Sequence, residues 1–272
     1  MTRRIAINKI CLNTLSYEAA VEACARHGFA GITPWIGDVE HLTPAQARKI
    51  AADAGVEIAG FCNAGLYALK GRAGRATAQE EARRNIDYAA EIESPSIVTV
   101  VGGLPDGTKA LADAHDYALD CLAETLDHAR TTPVTLALEP LHPVYTPDWS
   151  MVNTIGLAND WCNRLGDGIG LTVDSYHTWW DHNLETEIAR AGAAGRLTSM
   201  HVSDWLVPTS HLLLDRGMPG DGVIDLAGFD ALMRGAGYDG FVEVEIFSER
   251  WWAEDVDAFL GLLRSRMDAI LT

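Results

Sequence analysis

The strongest constraint on the fold of this chain is an alternation. Short apolar segments of strand length occur at Arg4–Ile10, Ala30–Trp35, Val56–Phe61, Ser96–Val101, Val134–Glu139, Gly168–Asp174, Leu197–Val202 and Phe241–Phe247, and a helical stretch follows each one. Helix signals punctuate the spaces between them. Ser16 is placed to cap a helix that Gly28 ends, and Thr43 with Pro44 opens another that Gly55 closes. Leu111, Leu119, Leu122 and Leu126 recur at near-helical spacing in the stretch from Thr108 to about Arg130, as packing on a sheet requires. Regular strand–helix alternation implies parallel strands joined by crossover helices. Eight units in 272 residues match a (β/α)8 TIM barrel, a single domain over residues 1–272. An open doubly wound sheet would carry a glycine-rich turn after its first strand, and Cys11-Leu-Asn-Thr-Leu-Ser16 has no glycine.

In such a barrel the chemistry sits where strands end, so the polar residues on the inward phase of each strand are the candidates. The fifth strand alternates Val134, Leu136 and Leu138 against Thr135, Ala137 and Glu139, and Pro140 stops it. In the sixth, Thr172 and Asp174 oppose Leu171 and Val173. In the seventh, Ser199 and His201 oppose Met200 and Val202. In the eighth, Glu243 and Glu245 oppose Val242, Val244 and Ile246. Nearest the mouth these strands present Glu139, Asp174, His201 and Glu245. Buried carboxylates need a partner, and three carboxylates with one imidazole form a hard, oxygen-rich donor set. One divalent metal ion is expected there, Mn²⁺ ahead of Mg²⁺, Co²⁺ or Zn²⁺. Glu243 shares the phase of Glu245 and would lie about 6–7 Å deeper, as an inner hydrogen-bonded residue.

Charge and cysteines narrow the partners. A formal net charge of -17 argues against nucleic acid and against anionic membranes. No apolar run is long enough for a signal peptide or a membrane span. The five cysteines are scattered and never in CxxC spacing, which fits free thiols in a reducing cytoplasm. Gly102-Gly-Leu-Pro-Asp-Gly107 lacks the lysine and spacing of a phosphate loop and reads as an ordinary turn.

Glu139, Asp174-x-x-His177, His201-x-x-Asp204, Arg216-x-x-Pro219-Gly-x-Gly222 and Gly240-Phe-Val-Glu-Val-Glu245 together resemble the xylose isomerase-like barrel superfamily. That superfamily includes ketose 3-epimerases, hydroxypyruvate isomerase, inosose dehydratase and endonuclease IV-type enzymes. The resemblance implies a divalent metal held by Glu139, Asp174, His201 and Glu245. It also implies Glu139 and Glu245 as the acid/base pair, with His177 and Arg216 holding substrate oxygens. His142, beside Glu139, is divided between substrate contact and loop scaffolding. Asp204 is expected to orient His201 or to cap a turn, and Trp35 to line the pocket. The strand ends near Trp35 and Phe61 offer no histidine, which with the acidic charge counts against a three-zinc DNA-repair site.

The expected activity is a metal-dependent isomerase or epimerase of a ketose, sugar derivative or hydroxy-keto acid, working through a metal-stabilised enediolate. A metal-dependent lyase, a dehydratase or a decarboxylase, shares the early chemistry. A catalytically silent sugar-binding barrel is the non-enzymatic alternative. The expected partner is a small sugar or sugar acid, and a homo-oligomer is compatible with the sequence.

Overall fold

The computed structural model describes residues 3–68, 71–105 and 108–271. The last two residues of the Gly102–Gly107 turn lie outside that set. Among the described residues, nine parallel strands form one sheet: β1 Ile5–Asn8, β2 Gly31–Thr33, β3 Glu57–Ile58, β4 Phe61–Gly65, β5 Ser96–Val100, β6 Thr135–Leu138, β7 Ile169–Asp174, β8 Leu197–Val202 and β9 Val242–Val244. Their order is β3-β2-β1-β9-β8-β7-β6-β5-β4. The two ends of that order, β3 and β4, are successive pieces of one strand path. Ala59 N–H donates to Ile32 O and Cys62 N–H to Pro34 O, each at 3.0 Å, so the path stays beside β2 while β4 pairs with β5. The sheet thereby curls into a nearly closed barrel.

Eight helices of ten or more residues surround the described strands: α1 Tyr17–Arg26, α2 Pro44–Asp53, α3 Arg75–Glu91, α4 Leu111–Ala129, α5 Ile155–Leu165, α6 Leu184–Ala193, α7 Leu226–Gly235 and α8 Val256–Ile270. Their starts follow the expected chemistry. Ser16 accepts from Ala19 N–H, and Thr43 forms a reciprocal capping box with Gln46 ahead of Pro44. Gly28 and Gly55, just past the ends of α1 and α2, adopt positive φ.

Two apolar layers result. Outward-facing residues such as Ile7, Ile32, Leu136, Val173, Met200 and Val244 merge with the helices into the main core. A second, smaller cluster lies apart: Cys62, Val98, Val100, Leu141 and Tyr145, with Trp35 and Leu66 packed against it. Each buried large apolar side chain contributes about 1.5–3 kcal/mol, so the main core supplies the stability of the barrel.

Three strands differ from the sequence expectation. The third is broken at Ala59–Gly60 and runs on to Gly65. Its later residues, Asn63, Ala64 and Gly65, have poor strand propensity and are held by pairing with β5. The first gives way after Asn8 to a 3-10 turn, because the Asn8 side chain accepts from Ile10 N–H. The ladder of the eighth ends at Val244 rather than Phe247. Short helices follow strand ends at Ile36–Val39, Ser175–Thr178 and Glu249–Trp252, and these turns surround the mouth.

Candidate metal centre

Strand register brings the acidic residues together. Asp174 pairs with His201 across β7 and β8, and His201 pairs with Glu243 across β8 and β9. Glu139 follows the last residue of β6, its N–H donating to Thr99 O at 3.0 Å. Glu245 follows β9, its N–H donating to Val202 O at 3.0 Å. The inward alternation of these strands then points Glu139, Asp174, His201 and Glu245 at one another. One ligand-type atom from each lies within 4.8 Å of the others, and all four residues are buried. The group could hold a metal ion.

Two observations test whether it suits a cation. His201 Nδ1 lies 3.4 Å from Glu139 Oε1 and 3.9 Å from Glu245 Oε2. Yet Glu139 Oε1 and both His201 nitrogens are fully buried without a hydrogen-bond partner, an arrangement proteins avoid unless something else satisfies those atoms. Second, burial pushes Glu139 up to about 7, despite the nearby His201; Glu245 and Asp174 add to the rise. Burial also raises Asp174. Burial opposes charge on His201, but Glu243, Glu139 and Glu245 outweigh it and raise its proton affinity well above the usual histidine range. Crowded carboxylates that hold protons this strongly are what a divalent cation would relieve. The residues fit the ion that their chemistry calls for.

Glu243 lies one layer deeper. Its Oε2 accepts from Thr33 Oγ1 at 2.6 Å and its Oε1 from Asn8 Nδ2 at 2.8 Å. The same Oε1 faces His201 Nε2 at 3.6 Å. Glu243 thus stands behind the imidazole, on the side away from Glu139, where a carboxylate fixes the ring of a metal-ligating histidine. Asp204 was the residue expected there if it oriented His201, and the structure gives it the other role. Its Oδ1 accepts from Trp205 and Ile224 N–H, and its Oδ2 from Gly220 and Gly222 N–H, all at 2.9–3.0 Å. It organises the loop after β8.

That loop delivers Arg216. Its Nη1 donates to Glu245 Oε2 at 2.9 Å and approaches Asp174 Oδ2 at 3.3 Å. The guanidinium lies between the rings of Tyr176 and Phe247, with centroids 4.6 and 4.8 Å away. Burial works against its charge, but Glu245 and Asp174 keep it firmly protonated. His177 reaches the same place. Its Nε2 lies 3.1 Å from Arg216 Nη2, and its Nδ1 lies 3.2 Å from His142 N. Burial, then Arg216, lowers its proton affinity well below the usual range. A neutral imidazole accepts at one nitrogen only, so the other nitrogen carries the hydrogen.

His142 itself turns away. Its ring packs on Trp205 and Trp180, with centroids 5.0 and 5.7 Å apart, and its Nδ1 accepts from Val144 N–H. Of the two roles open to it, loop scaffolding is the one the geometry describes. Trp35 lies in the cavity wall beside Glu139, His177, Arg216 and Glu245, and its indole N–H donates to Asn8 Oδ1 at 2.7 Å.

Asn8 escaped the sequence reading. Its Nδ2 bridges Glu243 and Glu245, at 2.8 and 3.1 Å, while its Oδ1 holds Trp35. The signal was available, since Asn8 is the inward polar residue at the end of β1. Tyr145 and Leu213, also in the cavity wall, carry no such signal. They come from loops after the strands.

A family model described as Xylose isomerase-like TIM barrel matches residues 21–265. The chain belongs to this family. A 3-dehydroshikimate dehydratase of Pseudomonas aeruginosa is 28% identical over 244 residues, 84% of this chain and 36% of that protein. An inosose isomerase of Bacillus velezensis is 28% identical over 159 residues, 56% of this chain and 54% of that protein. The chain therefore spans only 36% and 54% of the length of these two curated relatives. Among solved structures, a protein of Sinorhizobium meliloti 1021 is 39% identical with a TM-score of 0.94, covering 98% of both chains. Ketose 3-epimerases are also structural neighbours of this family member, at 20% identity or lower, a likeness that shows the fold alone.

Among the described residues, no helix is long and apolar enough to cross a membrane, and all five cysteines are buried and free.

Proposed function

We propose that this family member is a divalent-metal-dependent isomerase or epimerase of a small α-hydroxy ketone or hydroxy-keto acid. The observation that carries the reading is the buried group of Glu139, Asp174, His201 and Glu245, with orphaned atoms turned into it. These four residues would hold the ion, and three oxygen donors with one nitrogen favour manganese or magnesium. The ion would supply Lewis acidity, polarising a carbonyl and acidifying the adjacent C–H.

The remaining work falls to the chain. Burial raises the proton affinity of the Glu139 carboxylate, the property a general base needs and one that a bound cation would oppose. It takes the proton from the carbon between carbonyl and hydroxyl, and Glu245 returns one. His177 and Arg216 hold substrate oxygens, the first as a neutral donor, the second as a fixed cation. Trp35 and the neighbouring wall keep water from the exposed carbanion equivalent.

In D₂O, the purified protein with manganese should place one deuterium in a ketose without loss of mass. Glu139→Gln should lose turnover by at least about a hundredfold while elemental analysis still finds metal. Unchanged turnover in that variant would reject Glu139 as the base. The name of the dehydratase relative favours a second reading, a lyase in which a β-hydroxyl departs. Release of water with the corresponding loss of mass would select it.

A further inference from the structure

We infer that the substrate is carbon-rich beyond its hydroxy-ketone head and carries few hydroxyls there, with Asn63 reading a single polar substituent. This rests on the proposed reaction at the same site and goes on to its specificity.

The cavity in front of the acidic group has a volume of about 160 Å³. A buried apolar hole of about 150 Å³ accommodates one benzene, so the space suits a molecule of roughly six to ten heavy atoms. Away from the acids, its wall is made of Leu66, Val100, Leu141, Leu213, Phe247 and Trp149. Several of these belong to the second apolar cluster, which stands apart from the main core and faces the cavity. The barrel therefore maintains an apolar surface that the core does not need.

Polar groups in that wall are mostly committed. The Trp35 indole N–H is held by Asn8, and the Tyr145 hydroxyl donates to Leu212 O at 2.6 Å. Among the described residues, the wall side chains left without a hydrogen-bond partner are the Asn63 amide and, at the exposed rim, the Trp149 indole N–H. A ligand with several distal hydroxyls would bury them against Leu and Phe side chains and lose their bonds to water. One hydroxyl or carbonyl could be met by the Asn63 amide, which offers both donor and acceptor.

The test uses three ligands of matched size, each with eight heavy atoms or close to it and the same HOCH₂–CO head. Erythrulose carries two distal hydroxyls. In 1-hydroxy-3-methylpentan-2-one both are replaced by methyl groups, and 1,4-dihydroxy-3-methylbutan-2-one keeps one hydroxyl. Binding is measured by calorimetry on the full chain with manganese, magnesium, cobalt and zinc ions in turn. We expect the fully apolar isostere to bind at least about tenfold more tightly than erythrulose. Equal or tighter binding of erythrulose overturns the inference and leaves the proposed reaction standing. If none of the three binds with any of the ions, the reading of the site falls and the inference with it. Asn63→Ala should weaken the single-hydroxyl ligand about fivefold and leave the fully apolar one unchanged. Equal loss for both would give Asn63 a merely structural role and overturn its assignment.

Discussion

Replacing Asp204 by Asn tests what that carboxylate does. Each oxygen accepts two backbone N–H groups, from Trp205 and Ile224 on one side and from Gly220 and Gly222 on the other. The residue is completely buried, so water cannot substitute. An Asn side chain keeps one oxygen and presents its NH₂ to the other pair of N–H groups. Two bonds to a charged acceptor are lost, each contributing about 1.5–3 kcal/mol, and two donors are left facing a donor. The expected cost is about 3–6 kcal/mol, which for a chain of this size lowers the melting temperature by on the order of 10 °C. Thermal unfolding followed by circular dichroism reads it directly. Limited proteolysis should show earlier cleavage between residues 205 and 224. If Asp204 instead served chiefly to steer His201, Asp204→Asn would melt within about 2 °C of the parent and bind manganese more weakly. That pair of results would refute the loop-organising argument.

Glu243→Gln removes the charge behind His201 and weakens the hydrogen bonds from Thr33 and Asn8; manganese affinity, by indicator competition, should fall about 10–100-fold, and an unchanged affinity would separate Glu243 from the centre. Because burial pushes Glu139 up to about 7, the ion must displace a proton below that pH. Affinity should therefore fall as pH drops from 7 to 5 and keep rising above 7, because His201 also holds its proton well above the usual histidine range; proton release on binding is read by calorimetry in buffers of different ionisation heat, and flat affinity across this range would refute proton displacement from these donors. Gly65 has φ +108°, and a Cβ there would run into the Val100 carbonyl. Gly65→Ala should cost more than about 1 kcal/mol in urea unfolding, and a neutral result would show that β4 shifts freely against β5.

The legible part of this molecule was the part in which one polar residue interrupts an apolar strand. Glu139, Asp174, His201 and Glu245 stand out because Leu138, Val173, Met200 and Val244 beside them can only face helices. Alternation fixes direction, and parallel order fixes which end is the mouth, so four residues far apart in sequence could be brought to one place by reasoning alone. Asn8 obeys the same rule. Its signal is ambiguous, since a strand-end asparagine is also an ordinary turn former, and its partners Trp35 and Glu243 are 27 and 235 residues away. Asp204 illustrates the reverse limit. Proximity in sequence to His201 suggested a link to the imidazole, whereas the glycines of Gly217-Met-Pro-Gly-Asp-Gly222 supplied the N–H groups that capture it. Loop contributions such as Tyr145 and Leu213 have no period to read.

The seam between β1 and β9 has a temporal consequence. Asn8 is synthesised long before the acids it braces, which follow 235 and 237 positions later. Until then its amide, and the indole that leans on it, wait among incomplete strands. No nascent fragment lacking that last segment can present all four of Glu139, Asp174, His201 and Glu245, so the full donor set exists only once the last strand is in place.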